Sequence, residues 1–163
     1  MNARFSYIGA EIQYDKMEPK IIIEKYIEGI DKHPPIDYKM FCFNGKVCLT
    51  MTCEGRGEEE YTRFYFYNNE WNILPYGGNS EKLYVQNKKS KSTKPVSFDK
   101  MKKYAEKLSS PFPFVRVDFY EVNGQPILGE MTFTPCAGLD RTLEKEADLE
   151  MGNLIELPNK YII

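Results

Sequence analysis

The sequence predicts an α+β domain: an antiparallel β-sheet with one helix packed on its apolar face. Three observations lead there. Two Asn-Gly pairs, at 44–45 and 123–124, each sit between apolar-alternating runs, the strongest short-range signal for a hairpin. One segment alone, 97–110, carries a clear helical period. The elements run strands, helix, strands, with no βαβ alternation and no internal repeat, which favours antiparallel over parallel pairing. At 163 residues the chain fits one domain, 1–163, and 42% apolar residues supply a core.

Each element follows from its local chemistry. Residues 1–18 are polar and aromatic with weak periodicity and read as a lead-in. "KIIIEKYIE" (20–28) opens with a β-branched run and reads as a buried strand, ended by Gly29. His33, Pro34 and Pro35 break the chain, because proline fixes its own φ and restricts the residue before it. "IDYKMFCFNGKVCLTMTC" (36–53) is a hairpin, and "YTRFYFYNNEWN" (61–72) a further strand and turn whose aromatics Tyr65, Phe66 and Tyr67 pack in the sheet. Residues 75–95 form a long polar connection. In 97–110, Ser97 is placed to cap the helix, and Met101, Tyr104, Ala105 and Leu108 make one apolar stripe. Pro111 and Pro113 stop it. A second, shorter helix is expected near 144–154.

The segment "FVRVDFYEVNGQPILGEMTFTP" (114–135) poses a chemical question, since each of its two strands carries a carboxylate in its middle, Asp118 and Glu130. Strand parity places Val115, Val117 and Phe119 on one face, toward the helix, and Arg116 and Asp118 on the other. A two-residue Asn123-Gly124 loop would pair Val122 with Gln125, set Asp118 against Gly129 and put the two acids on opposite faces. A three-residue loop, 122–124, pairs Glu121 with Gln125, sets Glu130 against Arg116, and gathers Arg116, Asp118, Glu130 and Thr132 on one face. The three-residue loop is therefore expected, since a slip of one residue would spoil both faces. Two adjacent carboxylates need something positive between them: a divalent cation, Arg116, or a shared proton. All-oxygen ligands suit magnesium, which commonly brings phosphates with it. A solvated face with a simple Arg116–carboxylate pair accounts for the spacing equally well.

Composition excludes several classes. A net charge of −2 gives no basic footprint for nucleic acid, and the lysines at 88, 89, 91 and 94 lack the interleaved aromatics of a stacking surface. No apolar run approaches the ~20 residues of a membrane span, and "MNARFSYIGAE" has no secretory apolar region. The four cysteines (42, 48, 53 and 136) lack CxxC spacing and are expected to be reduced thiols in a cytoplasmic protein.

The hairpin "RVDFYEVNGQPILGEMTFTP" resembles the metal-binding hairpin of ATP-grasp enzymes, and "IIIEKYIEGID" resembles their adenine-holding hinge. With "DYKMFCFNGKV", Arg56 and "RFYFYNNEW" the chain is most similar to the TupA-like ATP-grasp group, which is associated with teichuronopeptide and other cell-surface polysaccharide biosynthesis. The resemblance covers nearly the whole chain. It implies the C-terminal subdomain of an ATP-grasp fold and a carboxylate–amine ligase working through an acylphosphate, with ATP and Mg2+ as cofactors. By position it implies that Glu24, Lys25, Tyr26 and Ile27 meet the adenine, Asp31 the ribose, and Lys39 the phosphates. Asp118 and Glu130 match the metal ligands, with Thr132 where the wider superfamily has asparagine. Arg116 matches a position that stabilises charge on the transferring centre. Arg56 and Arg63 match basic positions for substrate or phosphate, although pairing with the acidic run 58–60 explains them as well.

The same resemblance marks an absence. An N-terminal substrate domain and the half carrying a phosphate-binding lysine and a glycine-rich loop are not found before Lys20. The expectation is therefore a C-terminal portion of the module. It would act with a carboxylate and an amine or sugar substrate and with a separate N-terminal half. The alternatives are a non-catalytic remnant or partner subunit with weak or no nucleotide binding, and a glycosyl- or phosphotransferase-like activity in the same pathway.

Overall fold

A computed structural model describes residues 11–27, 35–54, 63–76, 92–140 and 143–157, with backbone alone for Ile12, Gln13, Glu54 and Arg63. Six strands, β1 (Asp37–Phe43), β2 (Lys46–Glu54), β3 (Arg63–Tyr67), β4 (Ile73–Leu74), β5 (Phe114–Val122) and β6 (Gln125–Thr132), form one sheet in the order β4-β3-β2-β1-β5-β6. All neighbours pair antiparallel. Two helices accompany the sheet, α1 (Phe98–Ser109) and α2 (Lys145–Gly152), with short 3-10 turns at Ile12–Lys16 and Pro135–Gly138. The α+β architecture expected from the sequence is the one observed.

The sheet has a core on each face. Alternation along β1 sends Tyr38, Met40 and Cys42 one way, where they meet Val115, Val117 and Phe119 of β5 and Phe98, Met101 and Ala105 of α1. Phe41 and Phe43 point the other way and pack with Leu49, Phe66 and the α2 residues Ala147 and Met151. The helical stripe on α1 is rotated from its expected position. Phe98 and Ser109 are buried and Tyr104 is exposed, because the register starts at Phe98 rather than at Met101. Ser97 does not cap α1 with its side chain. Its backbone N–H and its hydroxyl both donate to Glu121 Oε1, at 2.7 and 2.6 Å, so a β5 carboxylate takes over the role of the cap and ties the helix to the hairpin.

Both hairpins turn on two-residue loops with positive φ at Asn and Gly (50° and 77° at 44–45, 52° and 69° at 123–124), the type I′ geometry that matches strand twist. Both then absorb one extra residue in the second strand. Phe41 faces Leu49 and Cys42 faces Val47, which leaves Cys48 as the bulge. Phe119 faces Leu128 and Asp118 faces Glu130, which leaves Gly129 as the other. The three-residue loop expected at 122–124 is thus replaced by a two-residue loop plus a bulge five residues further on. A Cβ on Gly129 would lie 3.1 Å from the Tyr120 ring and 3.3 Å from the Asp118 carbonyl oxygen, a tight approach that glycine makes without displacing either.

The expected buried strand at 20–28 is not formed in its described part. Residues 20–27 belong to no ladder, and Ile21, Ile22 and Ile23 are 93, 81 and 90% exposed. A β-branched run becomes a strand only against a partner, and none of the described strands supplies one. The C-terminal stretch is anchored differently, by Asn44 in the first turn: its Nδ2 donates to Leu154 O at 2.7 Å, and Glu156 N–H donates to its Oδ1 at 3.1 Å.

Candidate functional site

The bulge at Gly129 decides the site. It shifts the register by one residue, so that Asp118 lies directly opposite Glu130 and Arg116 opposite Thr132, in place of the expected Arg116–Glu130 pair, with all four on one sheet face. On the other side of β5, Lys39 of β1 pairs with Asp118. Parity along β1 adds Asp37 to the same face. Five charged side chains therefore converge where the α2-side core gives way along β1 and β5.

Their contacts form a continuous network. Arg116 grips Asp118 with two bonds, Nε to Oδ1 and Nη2 to Oδ2, both 2.8 Å. The same Nη2 donates to Glu130 Oε1 and to Thr132 Oγ1, each at 3.0 Å, and the Thr132 hydroxyl donates to Glu130 Oε1 at 2.9 Å. Lys39 Nζ bridges two acids, 2.5 Å from Asp118 Oδ2 and 2.7 Å from Asp37 Oδ2. Asp37 and Asp118 are each 2% exposed and Lys39 is 6% exposed, whereas Glu130 opens to solvent. Fork geometry and double pairing offset part of the desolvation of these charges.

The electrostatics follow burial. Burial pushes the Asp118 carboxyl above the usual range, against the pull of Arg116 and Lys39. Burial would also raise Glu130, but the Thr132 hydroxyl and the charges of Lys39 and Arg116 outweigh it and hold the group below its ordinary value. Burial alone would lower Arg116; the bond to Asp118 and the nearby Glu130 and Asp37 charges keep it raised. Elsewhere, burial raises the Cys42 thiol to about 12, and all four cysteines are free, as expected from their spacing.

The donor set fits a magnesium ion in kind. Two carboxylates and a hydroxyl are hard oxygen donors, and magnesium asks for only one or two carboxylates beside water and phosphate. Among the described residues no group of three or more acidic, histidine or cysteine side chains gathers as a metal cage. The oxygens of Asp118 are engaged by Arg116 and Lys39, so an entering cation would exchange with one of those bases.

A second feature lies beyond the charges. Glu24, Lys25, Tyr26 and Ile27 line a cavity of about 710 Å³ together with Val122, Ile127 and Leu128 at the β5–β6 tip. The hinge candidates are thus brought to the same hairpin as the acids, although not as a strand. Asp31 and Arg56 lie outside the described residues, and Arg63 opens β3 with its side chain outside them. Asp37 was not among the expected site residues. Its position two residues before Lys39, on the same strand face, was the available signal. Gly129 was a second, since a glycine inside a strand pattern marks a bulge.

No helix among the described residues is long and apolar enough to cross a membrane. No curated protein and no solved structure matches the chain. A family model does, over residues 1–156, and it is that of the TupA-like ATPgrasp family; the chain belongs to this family.

Proposed function

We propose that this chain binds ATP with Mg2+ and supplies the metal site of a carboxylate–amine ligase, working through an acylphosphate, in cytoplasmic steps of cell-surface polysaccharide biosynthesis. One observation carries the reading. The even-numbered residues of β5 share a face on which the charged network at Arg116 and Asp118 leads to Val122, which lines the cavity of about 710 Å³. Val122 lies four positions along β5 from Asp118, about 13 Å along a strand, a span on the scale of a nucleoside triphosphate. The apolar side chains of Ile27, Val122, Ile127 and Leu128 at one end suit a flat base, and the hard oxygens of Asp118 and Glu130 beside Lys39 and Arg116 at the other suit phosphates brought in with magnesium.

The roles follow from position. Glu24, Lys25, Tyr26 and Ile27 contact the adenine, and Asp31 the ribose. Lys39 carries charge to the phosphates. Asp118, Glu130 and Thr132 would hold magnesium, which when bound neutralises phosphate charge. Arg116 offers a planar fork to the transferring phosphoryl group, and positioning plus charge neutralisation is what this chemistry needs from a protein. Arg56 and Arg63 serve the substrate or its phosphate, and the carboxylate and the amine or sugar acceptor complete the partner set.

A second reading is favoured by the engagement of Asp118 with Arg116 and Lys39: the network is a structural charge cluster in a non-catalytic partner domain. Calorimetric titration of ATP with and without Mg2+, on the wild type and on Asp118→Asn/Glu130→Gln, separates the two. Magnesium-dependent binding that the double variant loses is the expected result. Absence of binding by the wild type, or binding untouched in the variant, overturns the metal-site assignment.

A further inference from the structure

A single nitrogen of Arg116 marks the centre of the site. Nη2 lies 2.8 Å from Asp118 Oδ2, 3.0 Å from Glu130 Oε1 and 3.0 Å from Thr132 Oγ1. These oxygens come from three residues on two strands, and they are the donors of the proposed cation site. We infer that Asp118, Glu130 and Thr132 form one cation seat that the chain fills with its own Arg116, so that a divalent cation and this guanidinium compete for it. The inference rests on the metal-site reading above and adds to it an occupant and an order of events.

Backbone geometry keeps the donors together without the guanidinium. Asp118 is paired with Glu130, and Arg116 with Thr132, by the β5–β6 ladder, and Thr132 Oγ1 already donates to Glu130 Oε1. Lys39 holds Asp118 from the side and is itself tied to Asp37, so one positive charge stays beside the acid when Arg116 leaves. The seat therefore survives the loss of its occupant. In kind it prefers a hard divalent cation over a guanidinium, but with two carboxylates only, which leaves the balance open to a competitor held by its own strand.

The charge count gives the competition a consequence. Asp37, Asp118 and Glu130 stand against Lys39 and Arg116, three carboxylates against two bases, with one negative charge in excess. Entry of a divalent cation turns that into one positive charge in excess and frees a planar fork suited to phosphate oxygens. Cation entry thus creates the anion site, and the two ligands assist each other through Arg116. Without an anion to receive it, Arg116 stays in the seat and divalent binding is weak.

The test is Mn2+ binding without nucleotide, read as free Mn2+ by electron paramagnetic resonance. The proteins are the wild type, Arg116→Gln, Arg116→Lys, and Arg116→Gln combined with Asp118→Asn/Glu130→Gln, each checked for folding by thermal melting. Arg116→Gln is expected to bind Mn2+ about tenfold more tightly than wild type or better, the worth of removing a charge-assisted competitor. Arg116→Lys, which keeps charge and loses the fork, gains less, and the combined variant loses binding. Equal affinities in wild type and Arg116→Gln overturn the inference. Where the Gln variant does not fold, a folded Arg116→Lys without any gain overturns it as well. Failure of the seat itself looks different: neither wild type nor Arg116→Gln binds Mn2+, and wild type shows no magnesium-dependent ATP binding.

Discussion

Replacing Lys39 with methionine removes the one ammonium held between Asp37 and Asp118 while keeping the length of the side chain. Both acids are 2% exposed, and Nζ lies 2.7 Å from one and 2.5 Å from the other. Breaking a buried ion pair by deleting one partner costs about 3–5 kcal/mol, because a charge is left uncompensated. Arg116 still grips Asp118 with two bonds, so the loss belongs near the lower end, about 3 kcal/mol. For a chain of this size that is roughly 6–12 °C in Tm. Urea unfolding followed by the fluorescence of Trp71 is the assay, since this single tryptophan stacks on Tyr67 at 4.3 Å and loses that contact on unfolding. The midpoint should fall with an unchanged slope. Asp37→Asn/Lys39→Met should recover part of the loss, because one of the two acids that faced the ammonium is then neutral. The deficit should also depend on pH. Burial already raises Asp118, and a carboxyl raised in the folded state binds more protons folded than unfolded, so stability falls as pH rises from the unfolded value of about 4 toward the folded one. Losing the ammonium widens that window upward, so the variant should be closest to wild type in acid. A loss below about 1 kcal/mol, the range of exposed ion pairs, would refute the claim that these charges depend on one another.

Four further outcomes are expected. Gly129→Ala should cost about 1–3 kcal/mol by denaturation, since its Cβ would meet the Tyr120 ring at 3.1 Å and the Asp118 carbonyl at 3.3 Å. Glu130 behaves oppositely to Asp118: its carboxyl sits below 4.5, so the stability it contributes is present at neutral pH and is lost as pH falls through that region, and Glu130→Gln should flatten the acid limb of the stability curve. Asn44→Ala forfeits two hydrogen bonds to the C-terminal stretch and places alanine at a φ of 50°, for a loss of about 2 kcal/mol, with the Glu156 amide exchanging faster with deuterium. Cys136, exposed, should be alkylated in the native protein at pH 8, and Cys42, buried with its thiol raised to about 12, only after unfolding.

Much of the fold was legible because its signals are local. Asn-Gly pairs require positive φ at adjacent residues, and that requirement places both hairpins without reference to the rest of the chain. The helix at 98–109 is set by period, and its boundaries differ from expectation by one residue at each end. What failed depends on partners. The run Ile21 to Ile23 has strand propensity, but a ladder is a property of two segments, and none of the described strands pairs with it. Ser97 has the chemistry of a cap, yet Glu121, distant in sequence, takes both of its donors. The acids were placed on one face for the right reason with the wrong device. Requiring Arg116, Asp118, Glu130 and Thr132 to agree in parity is sound, but an extra residue anywhere between the turn and Glu130 satisfies it, and it falls at Gly129, where the backbone passes close to Asp118 and Tyr120.

The position of the network within the sheet explains how it can be both buried and reachable. On β1 the shared face changes from Asp37 and Lys39 to Phe41 and Phe43, and on β5 from Phe114 to Arg116 and Asp118; Phe43 faces Phe114, and Lys39 faces Asp118. Between these two pairs apolar Phe41 faces charged Arg116, so the boundary is offset by one pair, and the charged face reaches further along β5 than along β1. Packing with Ala147 and Met151 of α2 covers the apolar side of that line. On the charged side, strand pairing buries Asp118 and Lys39 while the β6 edge leaves Glu130 open. A charge network against an apolar wall works at a lower effective dielectric than one on an open surface, which strengthens each pair and penalises each unpaired charge. An anion that approached along β6 would meet Glu130 first and be repelled, whereas a cation would be drawn to it. Attraction of a cation at this open edge is what the exchange proposed at Arg116 requires of the site.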